Sequence, residues 1–249
     1  MHRRKNIASK QPTPEDTPAS KSGNTWNSNS NDEDEIVQGV GKAGFDLPSP
    51  SGINTWSHPL QVIAVLSYFV VLATATRGVI RGLEAGLGSH GEHGAFLPLA
   101  LGSAYALVGK SHFVVSRDFE NIMPPRGTWG IWHLPGSEAF HVAWTGVAEL
   151  VLGLGAAGGG LFEIALGLGL GAADPASARQ LQSVCAFTMF WLTVGVTPAN
   201  IFMLTHGARF PKDSDPLPVW FHGVRLAAQS VLLGLLYRVG EGTFLSAFF

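Results

Sequence analysis

Hydrophobic and polar positions divide this chain into a polar leader and a series of long apolar runs. Over residues 1–57 no window repeats with the period of a helix or a strand. Proline recurs at Pro12, Pro14 and Pro18, an Asn/Ser-rich stretch runs from Ser22 to Asn31, and Asp32-Glu33-Asp34-Glu35 follows. Such a segment buries too little apolar surface to offset its ordering entropy, so a disordered polar tail is predicted there. Beyond it the pattern reverses. Leu60–Thr76, extendable to Leu83, has no charge before Arg77. Ala95–Val115 is interrupted by Lys110 and His112, and Ala139–Ala173 has Glu149 and Glu163 as its charges. Leu181–Thr205 has none, and Val219–Tyr237 has Arg225. A helix of about 20 apolar residues spans the hydrocarbon of a bilayer, and its backbone groups are satisfied within the segment. Five transmembrane helices are therefore expected. The third run is too long for one straight crossing and too short for a hairpin of two. We read one span from about Ala139 to Gly160, with the glycine-rich remainder continuing it or lying at the interface.

Composition supports a membrane body behind a solvated leader. Only 14% of residues are charged, against about a quarter in soluble domains. Six Lys/Arg and seven Asp/Glu fall within residues 1–59. A single cysteine, Cys185, excludes a disulfide scaffold and reads as a packing residue. A net charge of −2 argues against a nucleic-acid binder. His2-Arg3-Arg4-Lys5 has no apolar h-region after it, so a cleaved secretory signal is not expected, and the acidic cluster argues against a transit peptide. Basic residues in alternate loops, five against four, do not orient the chain.

Gly153-Leu154-Gly155-Ala156-Ala157-Gly158, with Asp174 beyond it, matches the dinucleotide fingerprint in letters. The fingerprint needs a strand, a tight turn and a helix start, and here it lies inside an apolar run. Gly155/Gly159 and Gly167/Gly171 fit better the small residues that let membrane helices approach closely. His90-Gly91-Glu92-His93 lies in a glycine-rich loop, and no second cluster has zinc spacing, so no metal site is assigned. A haem held between two helices is the weaker reading of the remaining histidines.

Polar residues within the runs are more telling, since an ionisable group in a membrane helix costs roughly 2.5–3.5 kcal/mol and turns toward a partner or a cavity. Tyr105, Gly109 and His112 share a face of the second run, and Thr145, Gly146, Glu149 and Gly153 a face of the third. Thr193, Thr197 and Asn200 do so in the fourth, and His222, Arg225 and Gln229 in the fifth. Topology places these sets toward the side of the 116–138 loop. One cluster of His112, Glu149, Thr197, Asn200, Arg225 and Gln229 is expected, with Glu149 and Arg225 as an ion pair. It either locks the bundle or lines a small-molecule or proton-handling pocket. Lys110 and Arg238 are expected to snorkel to the interface. Pro198 should kink its helix and free a carbonyl near Val194 for a donor from Asn200 or the last helix.

Several of these elements have a family look. Gly109-Lys110-Ser111-His112-Phe113, Asp118-Phe119 and Ile122-Met123-Pro124-Pro125 resemble the end of the first helix and the following loop of DoxX-like membrane proteins. Thr145-Gly146-Val147-Ala148-Glu149 is similar to that family's Ser-Gly-x-x-Glu helix, Thr197-Pro198-Ala199-Asn200 to its Pro-Ala-Asn stretch, and Arg225 with Gln229 to its Arg-x-x-x-Gln pair. The resemblance implies an all-α, four-helix membrane core over residues 95–249. Residues 58–94 add a transmembrane helix and a glycine-rich loop, and 1–57 the tail. It further implies an accessory or small-ligand-binding subunit near quinone-linked redox chemistry; the sequence has no clear cofactor-binding motif, which argues against independent catalytic activity. A non-enzymatic assembly factor using its glycine faces on other membrane-protein subunits is the alternative. Either way the lipid bilayer is the immediate partner. The apolar runs predict that the protein sediments with membranes after an alkaline wash and leaves them only in detergent; recovery in the wash supernatant would contradict them.

Overall fold

The structure, a computed structural model, describes residues 49–87, 94–170 and 174–248. The tail expected over 1–57 therefore lies mostly outside the described residues, as do His90–His93 and Gly171. Among the described residues the fold is all-α, without strands. Its α-helices are α1 (His58–Leu87), α2 (Phe96–Val114), α3 (Ser116–Ile122), α4 (Glu138–Gly167), α5 (Pro175–His206) and α6 (Val219–Phe248).

Four of them, α1, α4, α5 and α6, are long and apolar enough to cross a membrane. The fifth span expected, α2, forms a helix but has only 19 residues and places Lys110, Ser111 and His112 in its last turns. It falls short on apolarity, so the structure offers four such helices rather than five. The long third run is a single helix. Gly158, Gly159 and Gly160 stay helical, and the chain turns only after Gly167, through Gly169 at φ 76°. The fingerprint glycines thus lie within one helix, with no strand before them. Ser137 caps α4 by accepting a hydrogen bond from the Phe140 amide at 3.1 Å. Asp174 caps α5 in the same way through the Ala176 amide at 2.9 Å, with Pro175 in the first turn.

Burial is inverted relative to a water-soluble domain. Val70, Leu107, Val151, Leu154 and Trp220 are exposed on the helix faces, whereas Gln182 and Thr197 are completely buried. Hydrocarbon around the helices explains both halves of that pattern: apolar side chains lose nothing by facing lipid, and polar ones must find partners inside. The threonines of α5 do so within their own helix, Thr193 donating to the Met189 carbonyl, Thr197 to Thr193 and Thr205 to Ile201. The chain is built as an integral membrane protein.

Helices α2, α4, α5 and α6 meet around one apolar core of Leu101, Tyr105, Ala156, Cys185, Ala186, Met189, Leu236 and Val239. Helix α1 stands outside this core and packs chiefly on α6, where Val79 covers Gly234. The closest packing joins α2 to α4, which run antiparallel. A Cβ added at Gly109 would lie 2.5 Å from the Leu150 amide nitrogen, and one at Gly153 would lie 2.5 Å from that of Ala106. Gly160 sits as tightly against Ala95 and Leu99. Of the two glycine pairs singled out above, Gly155 and Gly159 face Cys185 and Gln182 of α5, whereas Gly167 faces open space.

These contacts separate glycines of similar sequence context. Gly153→Ala should destabilise the detergent-solubilised protein by about 1–3 kcal/mol through overpacking against backbone. Gly158→Ala, where a Cβ meets nothing within 4 Å, should raise stability by about 0.5–1 kcal/mol through helix propensity. Thermal unfolding followed by size-exclusion chromatography reads both; equal responses would contradict the seam.

Candidate functional site

The connection from α2 to α4 is a structured cap rather than a passive loop. Trp129 is buried at 1% exposure and adopts φ 56°, in the left-handed region that bulky residues seldom enter. Its indole Nε1 donates to Thr205 Oγ1 at 3.0 Å, and its ring packs edge-on against Phe202 and His206 of α5. Asn121 Nδ2 donates to the Arg209 carbonyl at 2.8 Å, and the Lys212 amide donates to Asp118 Oδ1 at 2.9 Å. These bonds tie the cap to the segment between α5 and α6.

Beneath the cap lies a cavity of about 380 Å³. Its walls are aromatic and apolar: Phe119, Trp132, Trp144 and Trp191, with Ile122, Met123 and Pro124 from the cap. Helix α5 contributes Gly195, Val196, Pro198 and Ala199. Trp144 and Trp191 are 43% and 47% exposed, so the margin of the cavity reaches the lipid-facing surface. Its polar groups are His112, His141, Thr145, Glu149, Asn200 and Arg225. Four of the six residues expected to cluster therefore line one cavity. Thr197 and Gln229 stand behind it.

The expected ion pair does not form. Glu149 instead approaches His112, with Oε2 3.3 Å from Nδ1, both side chains being 8% exposed. Arg225 donates to Asn200 Oδ1 and to Met203 Sδ, two neutral acceptors. The reason is positional. The tight α2–α4 seam puts His112 immediately over Gly146, one turn from Glu149, while Arg225 on α6 reaches α5 first. From Arg225 a chain of hydrogen bonds runs inward. Asn200 Nδ2 donates to Gln229 Oε1 at 3.1 Å, and Gln229 Nε2 donates to Thr197 Oγ1 at 2.7 Å and to the Thr193 carbonyl at 3.5 Å. Thr193 Oγ1 in turn pairs with the Tyr105 hydroxyl of α2. Helix α5 continues through Pro198, and the side-chain donors converge on the carbonyl of Thr193 rather than of Val194.

Hydrogen bonding also fixes the histidine tautomers. Trp144 Nε1 donates to His141 Nδ1 at 3.1 Å, so the His141 proton sits on Nε2 and is given to the Pro135 carbonyl at 2.8 Å. His112 Nδ1 faces two acceptors, the Val108 carbonyl at 3.0 Å and Glu149 Oε2, so Nδ1 carries a hydrogen. Glu149 Oε2 is buried and accepts no well-aligned hydrogen bond from the protein.

Arg238 does not snorkel: it is 5% exposed and lies 3.6 Å from Glu241. Lys110 is exposed. His222 is buried but does not line the cavity. Cys185 packs beside Gly155. Among the described residues no group of three His, Cys, Asp or Glu could hold a metal ion. The tryptophan walls leave no polar periodicity in the sequence, because Trp144 and Trp191 stand half exposed at the cavity margin. The fold and cavity together define a helical membrane protein with a capped, aromatic, partly polar pocket. Comparison with protein-family models, with curated proteins and with solved structures finds no match.

The polar chain predicts coupled energetics. Asn200→Leu and Gln229→Leu should each cost about 1–3 kcal/mol by stranding a buried partner. The double replacement should cost less than their sum by about 0.5–3 kcal/mol. Chemical denaturation in detergent measures this cycle, and strict additivity would break the chain.

Proposed function

We propose that this protein is a DoxX-like accessory subunit that binds a small amphiphile within the bilayer. The carrying observation is the cavity between α4 and α5, with aromatic walls at a margin facing lipid and polar groups within. Its volume and mixed lining suit a drug-sized, largely apolar ligand oriented by a few polar groups. A molecule partitioned into the membrane would enter past Trp144 and Trp191 without crossing water. Arg225 supplies a donor for a ligand oxygen, and the tryptophan faces suit a flat ring. A quinone has both features and is the ligand of choice on this reading.

The assembly-factor alternative draws on glycine faces. Gly102, Gly109, Gly146, Gly153 and Gly160 are already occupied by the α2–α4 seam, which favours the ligand reading.

Trp132, Trp144 and Trp191 report on the cavity directly. Titration of the detergent-purified protein with decylubiquinone should quench tryptophan fluorescence saturably, in the micromolar range. Gly195 lines the cavity, and a Cβ there meets nothing within 4 Å. Gly195→Leu should fill the space, keep the helix intact and weaken binding at least about tenfold, a loss of about 1.4 kcal/mol or more. Quenching that never saturates, or that is unchanged in Gly195→Leu, would remove the proposal.

A further inference from the structure

The polar groups of the cavity differ in what they leave unused. His141 has both ring nitrogens engaged, one by Trp144 and one by the Pro135 carbonyl. Thr145 spends its hydroxyl proton on the His141 carbonyl at 2.7 Å. Asn200 accepts from Arg225 and donates to Gln229. His112 is different. Its Nδ1 hydrogen is held between the Val108 carbonyl and Glu149, and its ring is clamped against Phe119 at 3.8 Å between centroids, 19° from parallel. Nε2 has no hydrogen-bond partner among the described residues, although His112 lines the cavity. A carboxylate beside Nδ1 holds an imidazole in the tautomer whose Nε2 lone pair is free to accept a proton or a hydrogen bond. Glu149 Oε2, buried without a well-aligned donor, adds a second acceptor.

Resting on the ligand-binding reading above, we infer that His112, oriented by Glu149, is the hydrogen-bond acceptor for a hydroxyl group on the cavity's ligand. The ligand class is then a flat, apolar ring bearing a phenol-type hydroxyl, the group that the reduced, quinol form of the ligand proposed above carries and that its quinone form lacks. The hydroxyl donates to His112 Nε2, the tryptophan walls enclose the ring, and Arg225 meets an acceptor oxygen or the electron-rich part of the ligand. Glu149 acts through His112 as a positioning residue. The seam contributes to this arrangement, because a side chain at position 146 would collide with His112 Cβ, at 2.6 Å from an added Cβ.

Isothermal calorimetry of the full chain in detergent, with a trimethylphenol and its methyl ether, tests this assignment. The two probes share the ring and its three methyl groups, but in the ether a methyl group replaces the hydroxyl hydrogen, so it has none to donate. The phenol should bind about tenfold more tightly than the ether, since the ether strands a desolvated acceptor. In His112→Phe, which keeps the stack on Phe119, the ratio should fall to about twofold or less, with ether affinity retained. A ratio near one in the unaltered protein overturns the acceptor assignment while leaving the cavity a ligand site. Binding of neither probe overturns the ligand reading and this inference with it. A tenfold ratio that persists in a folded His112→Phe protein removes His112 from the role. Should that variant fail to fold, the ratio in the unaltered protein decides alone.

Discussion

The contact on which the site depends is backbone against backbone. Where α2 and α4 cross, Gly109 and Gly153 leave no room for even a methyl group. Helices in lipid gain nothing from the hydrophobic effect between them, so their association rests on close packing and internal hydrogen bonds. Here the close packing also does chemistry. It sets His112 over Gly146 and beside Glu149, at a distance that side chains of ordinary size would prevent. The same residues that look like a packing motif thereby place a carboxylate against an imidazole.

Lipid imposes the second arrangement. With apolar side chains turned outward, the polar ones are left to satisfy one another within the bundle, and a lone buried amide or guanidinium would be costly. Arg225, Asn200, Gln229, Thr197, Thr193 and Tyr105 meet this condition by joining α6, α5 and α2 in one chain of hydrogen bonds. The chain leaves Arg225 at the cavity without an acidic partner among the described residues. It also keeps the Glu149–His112 pair apart on α4 and α2, so Arg225 and that pair border the cavity from different sides without meeting. A pocket with this division can orient a ligand end to end, which a single ion pair across it would prevent.

The fold class was legible because transmembrane helices are written in composition: the apolar runs Ala139–Ala173, Leu181–Thr205 and Val219–Tyr237 each correspond to one helix, α4, α5 and α6. Which residues carry the polar interior was also legible, since His112, Glu149, Asn200 and Arg225 stand out by their cost in lipid. Their pairing was not. Helical spacing places a residue on a face but says nothing about how near two helices approach, and that nearness sent Glu149 to His112 instead of to Arg225. Arg238 misled for a related reason. Its position near a helix end suggests snorkelling, but Glu241 one turn later offers a local partner. The aromatic walls were hidden because tryptophan at a membrane surface is common, and Trp132 lies in a segment whose path depends on Trp129 being anchored in α5.

That anchor explains why a cavity exists at all. An apolar gap of this size between well-packed helices would ordinarily close, because its lining forfeits dispersion contacts. Three features hold it open. Gly195 supplies no side chain to fill it, and Pro198 stiffens the neighbouring turn of α5. The cap is fastened outside the gap, through Trp129, Asn121 and Asp118, so it spans the space without collapsing into it. A wall built of tryptophans resists closure further, since large rigid rings cannot repack into a small void. The aromatic margin, the buried acceptors and the fastened cap thus frame one preformed space, apolar toward lipid and polar within.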